Sequence, residues 1–293
     1  MNGASMENLT TIEIAGVRTV VYDSQPHGSQ EAVVCVHGNP GPMDDWDWLL
    51  PEIAPSARII AMDLPGFGRA DHPREFDFSV QGYAHYLAAL LDNLGVRRAH
   101  LVLHDFGGGF GLAWAAAHPQ RCASVTLINT GALLNYRWHW MARIWQTPVL
   151  GELFQLVTSA KRMKDTLDRT NPRPIPLAYV ERVLRHADWA HKRTVLKLYR
   201  NTRDPDRTFG QLAPALAALN LPACVVWGAG DPFLPVQHAE QQRQVFPRAE
   251  VHILQDAGHW PFVDDPDAVR ALVVPFLRQQ LAASSAQPSA QPA

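Results

Sequence analysis

Between Thr11 and Leu254 the chain alternates short, β-branched apolar runs with longer helix-like stretches, and no other feature narrows its fold as far. That alternation is the pattern of a mostly parallel sheet with helices on both faces, an α/β architecture. The runs predict strands over Thr11–Ile14, Thr19–Tyr22, Ala32–Val36, Arg58–Met62, His100–Leu103, Val125–Asn129, Ala223–Trp227 and Val251–Leu254. The first two read as a hairpin turning at Ala15-Gly16. Helical patterns fall at Val80–Leu94, Phe110–His118, Val236–Val245 and Asp265–Leu281. From Thr130 to about Leu212 the alternation stops, and a stretch rich in Trp, Leu, Arg and Tyr reads as several helices broken by Asn171-Pro172-Arg173-Pro174-Ile175-Pro176. The expected organisation is a core of 1–131 and 213–281, an inserted helical cap over 132–212, and a disordered Ala/Ser/Gln/Pro tail over 282–293.

The fifth apolar run ends in His104-Asp105-Phe106-Gly107-Gly108 and passes straight into a helical pattern. A strand, an abrupt turn at one chemically active residue and then a helix form the context of a nucleophile elbow. A carboxylate at that point is ionised without a helper base, so it suits displacement at a saturated carbon. The following string Gly107-Gly108-Gly109-Phe110-Gly111 fails the spacing of a dinucleotide loop, and close helix-to-strand packing explains it better.

Two more candidates follow later strands. Gly228-Ala229-Gly230-Asp231-Pro232 puts a carboxylate just past the seventh run, and Asp256-Ala257-Gly258-His259-Trp260 puts a histidine past the eighth. In open parallel sheets that edge is where sites are built. The order nucleophile, acid, histidine is the α/β-hydrolase order.

On these residues the chain resembles the α/β-hydrolase superfamily, and within it the epoxide hydrolase and haloalkane dehalogenase branch. The motifs that carry the resemblance are His37-Gly38-Asn39-Pro40, Asp63-Leu64-Pro65-Gly66-Phe67-Gly68, the Asp105 elbow, the Asp231 loop and Gly258-His259, and it extends from about Thr11 to Leu281. The resemblance implies an eight-stranded α/β-hydrolase fold in which Asp105 forms an alkyl-enzyme ester. His259, oriented by Asp231, then activates the water that clears it. The backbone N–H groups of Phe106 and Asn39 are expected to stabilise the oxyanion. His104 is expected to shape the elbow and His37 to brace the oxyanion loop.

What stabilises the leaving atom separates the two branches. Val195-Leu196-Lys197-Leu198-Tyr199-Arg200-Asn201 resembles the epoxide-hydrolase cap segment, which makes Tyr199 a ring-opening acid, with Tyr136 as its expected partner. Asn39 instead matches the dehalogenase pattern. Phe106 stands where those enzymes carry a Trp, though Trp138, Trp140 or Trp145 offers a substitute N–H. The favoured reading is an epoxide hydrolase acting on hydrophobic epoxides, and the alternative is a haloalkane dehalogenase. A noncatalytic ligand-binding homologue is a remote third. An esterase ranks low because carboxylate attack on an ester gives an anhydride. A fluoroacetate-type enzyme is disfavoured by the absence of arginine from Phe106–Trp114.

The net charge of −2 argues against a nucleic-acid surface, and no basic run marks a membrane patch. The basic residues from Arg182 to Arg203 are interrupted by apolar and acidic ones and read as a solvated helix face. Cys35, Cys122 and Cys224 lack metal-ligand spacing and read as reduced packing residues, so neither a metal nor a cofactor is expected. The polar segment Met1–Glu13 lacks a signal-peptide core, and no run reaches the length of a membrane span. The expected protein is cytoplasmic, takes a small hydrophobic substrate and water, and is left open to forming a homodimer.

Overall fold

A computed structural model describes residues 8–25 and 27–285 of the chain. All eight expected strands are present: β1 (Leu9–Ile14), β2 (Val17–Asp23), β3 (Glu31–Val36), β4 (Ile59–Met62), β5 (Arg98–His104), β6 (Cys122–Ile128), β7 (Ala223–Gly228) and β8 (Ala249–Leu254). They form one sheet in the order β1-β2-β4-β3-β5-β6-β7-β8. β2 pairs antiparallel with β1 and β4, and every other pairing is parallel. The central strands are buried on both faces, which is why they read as continuous apolar runs. Along β3, Val33 and Cys35 enter one core cluster while Val34 and Val36 enter the other.

The core helices are α1 (Leu50–Ile53), α2 (Val80–Asn93) and α3 (Phe106–Ala117), and later α10 (Ala213–Leu219), α11 (Gln237–Val245), α12 (Pro261–Asp264) and α13 (Pro266–Ser285). Two of them differ from expectation. α3 begins at Phe106 and not at Phe110, because the chain turns into helix directly at Asp105. α13 continues through residues 282–285, so the first part of the expected disordered tail is helical, and the remainder lies outside the described residues.

Between β6 and α10 six α-helices intervene among the described residues: α4 (Trp140–Gln146), α5 (Leu150–Val157), α6 (Ala160–Thr170), α7 (Leu177–Leu184), α8 (Trp189–Asn201) and α9 (Pro205–Phe209). The proline-rich break separates α6 from α7, since proline cannot continue a helix and pushes the residue before it out of helical geometry. Of the basic residues expected to form a solvated face, Arg185, Arg193, Lys197 and Arg203 are exposed, while Arg182, Lys192 and Arg200 act as fasteners. Arg200 grips both oxygens of Glu152 at 2.8 Å, tying α8 to α5. Lys192 donates to the Gln155 carbonyl at 2.8 Å, and Arg182 reaches Asp47 of the core at 3.4 Å. The three cysteines are buried and free. No helix among the described residues is long and apolar enough to cross a membrane.

Candidate active site

The end of β5 builds the site from backbone geometry. Asp105 follows the last strand residue with φ 49° and ψ −127°, a positive-φ conformation that costs a non-glycine residue on the order of 1–3 kcal/mol. The turn is held by its own surroundings. The Asp105 carbonyl accepts from Thr130 Oγ1 at 2.6 Å and from Gly108 N at 3.0 Å. The loop after β3 presses against it so closely that a Cβ on Gly38 would lie 2.4 Å from the Asp105 Cβ. That proximity lets Asn39 N–H donate to Asp105 Oδ1 at 2.7 Å. The other expected donor, Phe106 N–H, is the first of α3 and has no acceptor within the helix.

The second carboxyl oxygen of Asp105 faces His259, whose Nε2 lies 3.4 Å from Oδ2. His259 Nδ1 is 2.7 Å from Asp231 Oδ2, so the imidazole stands between two carboxylates. Asp231 is itself fixed: its Oδ1 accepts from Phe233 N at 2.7 Å and Leu234 N at 2.9 Å. Its Oδ2 also accepts from Asn129 Nδ2 at 2.7 Å. Asn129 sits just past β6, and its Oδ1 accepts from Gly228 N at 3.0 Å, so one amide locks the loop bearing the acid. Sequence reasoning found no acid at that position and missed its part as the clamp on Asp231. His104 Nε2–H donates to the His259 carbonyl at 2.9 Å, and His37 Nε2 accepts from Leu64 N at 3.0 Å.

The electrostatics follow from this layout. Burial alone would lower the His259 pKa, but Asp231 and Asp105 outweigh it and hold the ring well above the ordinary imidazole value. Burial alone would raise Asp105, but its hydrogen bond to His259, that ring's charge and the Asn39 N–H hold it below the ordinary carboxylate value. The layout therefore favours a charged imidazole at His259, standing between the Asp105 and Asp231 side chains.

A strained residue between strand and helix, an acid past β7 and a histidine past β8 are the parts of one known architecture. Residues 31–266 match the family described as alpha/beta hydrolase fold. The chain belongs to that family. Among curated proteins it is 27% identical to a 2-hydroxymuconate semialdehyde hydrolase of Pseudomonas sp. (strain CF600), over 92% of this chain and 94% of that one. It is 27% identical to a cis-3-alkyl-4-alkyloxetan-2-one decarboxylase of Shewanella oneidensis, over 86% of this chain and 83% of that one. Among solved structures, the haloalkane dehalogenase DatA of Agrobacterium tumefaciens C58 superposes with a TM-score of 0.77 at 22% identity, over 93% and 96% of the two chains.

In this α/β-hydrolase fold protein the triad opens into a cavity of about 410 Å³, lined by core residues on one side and helices α4 to α8 on the other. Its wall includes the apolar residues Trp145, Phe154, Val195, Phe233 and Trp260, and it also carries Arg162, Asp165, Arg169 and Lys192. From the sequence, the apolar residues Leu133, Leu134, Trp138, Trp140, Trp145, Phe154 and Leu156 are candidates to line it, and only Trp145 and Phe154 do. Leu133 and Trp138 are buried in the core, and Trp140 is 52% and Leu156 63% exposed.

Tyr199 projects from α8 into the cavity beside the Asn39 side chain, its ring edge-on to Phe106 at 5.0 Å. Burial and the Asp105 charge push its hydroxyl pKa well up, so it stays protonated. Tyr136 takes a different position. Its hydroxyl donates to the Phe233 carbonyl at 3.0 Å, its ring packs against Trp138 and His238, and it does not line the cavity. The structure thus does not bring Tyr136 together with Tyr199 as a pair of donors. Among the tryptophans, Trp138 Nε1 donates to the Thr202 carbonyl, whereas Trp145 lines the cavity with a buried, unpartnered Nε1.

Proposed function

We propose that this chain is an epoxide hydrolase that opens hydrophobic epoxides to vicinal diols through an Asp105 ester. One observation carries the reading: Asp105 presents an anchored carboxylate, Oδ1 held by Asn39 N–H and Oδ2 turned toward His259, to a cavity that also receives the protonated Tyr199 hydroxyl. Such a carboxylate attacks a ring carbon with Oδ2 while Tyr199 protonates the oxygen that leaves. Oδ1 then becomes the ester carbonyl, already seated on Asn39 N–H, where the oxyanion of the second step will form. Esterification also removes the Asp105 charge. With one of its two carboxylates neutralised, His259 releases its proton more readily and becomes the base for water.

The hydrolase and decarboxylase relatives are named for reactions other than epoxide opening. Attack by a carboxylate on an acyl carbon would yield an anhydride, so an Asp105 elbow is better suited to displacement at a saturated carbon than to ester cleavage. The apolar wall beside Asp105 supports a hydrophobic substrate.

A second reading, haloalkane dehalogenase, is favoured by the unpartnered Trp145 Nε1 and the adjacent Asn39 side chain, because a halide needs only N–H donors. Purified protein incubated separately with styrene oxide and 1-bromobutane distinguishes the two. Diol from the first supports the epoxide reading, and bromide release from the second supports the alternative. Silence in both assays sinks the pair.

A further inference from the structure

Tyr199 alone leaves the departing oxygen with a single donor, and the resemblance in sequence pointed to a second one in the first part of the cap. Tyr136, the tyrosine of that segment, is turned away with its hydroxyl committed to the Phe233 carbonyl. Three residues later stands His139, which does line the cavity, together with Asp105, Tyr199 and His259. Its ring lies 4.9 Å from that of Phe233 and 6.1 Å from that of Tyr199, centroid to centroid.

The protonation pattern of His139 is fixed by secondary structure. His139 is the N-cap of α4, and its Nδ1 accepts from Ala142 N at 3.2 Å. A ring nitrogen that accepts carries no proton, so the neutral imidazole must carry its proton on Nε2. Burial drives the ring pKa down to about 4, which keeps it neutral through the physiological range. No protein group among the described residues accepts from Nε2. The N-cap thus presents a neutral imidazole with an uncommitted N–H at the wall of the reaction cavity.

We propose that His139 Nε2–H is the second donor to the leaving oxygen, forming with Tyr199 a His/Tyr pair where two tyrosines were expected. The inference rests on the aspartyl-ester reading. In the step, the bond from Asp105 Oδ2 to carbon forms as the carbon–oxygen bond breaks, and the electron pair stays on the epoxide oxygen. That oxygen takes the Tyr199 proton and accepts a hydrogen bond from His139, which keeps its own proton. His259, relieved of the Asp105 charge, restores the proton to Tyr199. The water consumed afterwards supplies two protons, one to His259 and one to the second diol hydroxyl.

The test isolates the first half-reaction. A His259→Gln variant exposed to styrene oxide should accumulate a covalent adduct on Asp105, timed by rapid quench and mass spectrometry. Adding His139→Ser keeps an N-cap acceptor for α4 but removes the ring N–H, and it should slow adduct formation on the order of 100-fold. His139→Asn can both cap and donate, and it should recover part of that loss. Circular dichroism and thermal melts verify that each variant is folded. Equal adduct rates with and without His139 overturn this inference alone. Absence of any adduct in His259→Gln overturns the aspartyl-ester reading, and the role of His139 falls with it.

Discussion

Asp105 and His259 determine each other's charge, and that coupling can be measured. In the free enzyme two carboxylates hold His259 well above the ordinary imidazole value. Asp105→Asn replaces one of them by a neutral amide, the same charge change that esterification makes. The His259 pKa should fall by roughly 1 unit or more, the size of effect a close charge has on a neighbour. Histidine NMR titration of the two proteins reads this directly, and superimposable curves would refute it. The consequence for turnover has a definite sign. Hydrolysis of the ester needs neutral His259, so its single-turnover rate should rise with pH through the lowered pKa of the alkylated enzyme. Asp231→Asn removes the other carboxylate and the tautomer it enforces. It should slow ester hydrolysis on the order of 10⁴-fold while sparing alkylation, and burst kinetics separate the two steps. Asp105, Asp231 and His259 were legible in sequence because each directly follows a recognisable strand, so chain position alone places them at one sheet edge. Tyr136 and His139 lie three residues apart in irregular chain, where no periodicity says which side chain turns inward. Asn129 was hidden for another reason: its role depends on a partner loop 102 residues away.

The elbow is an element-scale device, since β5, Asp105 and α3 must join with no intervening loop. The glycines after Asp105 explain why the sequence places the start of α3 too late. Glycine depresses helix propensity by about 1 kcal/mol per residue, so the sequence pattern delays the helix to Phe110. In the fold, contact with the sheet overrides that penalty and makes small residues necessary. A Cβ at Gly107 would lie 2.2 Å from the Val36 carbonyl oxygen, which belongs to β3 and cannot swing aside. Gly107→Ala should therefore destabilise the protein by about 1–3 kcal/mol, despite alanine's better helix propensity. It should also displace Asp105 from Asn39 N–H. Urea denaturation tests the first effect and styrene oxide turnover the second. A neutral or stabilising result would mean that helix propensity, and not strand contact, governs this turn. The strands themselves were readable because the sheet is buried on both faces. The helices between β6 and α10 could be sensed only as a region, because they are short and pack partly on one another and partly on the core, which blurs any single periodicity.

At the scale of the molecule helices α4 to α8 wall one side of the cavity, and one of their ties to the rest of the chain is expected to respond to pH. Asp45 of the core has a side chain only 1% exposed, with Arg182 of α7 as its near cation at 3.7 Å. Burial pushes its carboxyl up to about 7, and Arg182 only partly offsets this. The folded value lies above the unfolded value of about 3.9, so the folded chain holds this proton more tightly. The stability it contributes is complete below pH of about 4 and is lost as pH rises toward 7, with a slope of up to about 1.4 kcal/mol per pH unit. Asp45→Asn should remove that slope, so its stability relative to wild type should improve steadily between pH 4 and 7 and level off above. Arg182→Met should extend the loss to higher pH, because the ionised carboxylate then lacks its cation. Urea midpoints of the three proteins across pH 4–8 decide the matter. Parallel curves for wild type and Asp45→Asn would show that Asp45 is already ionised in the fold, held by Arg182 more strongly than burial opposes it. In that case Arg182→Met alone should be severely destabilised at neutral pH.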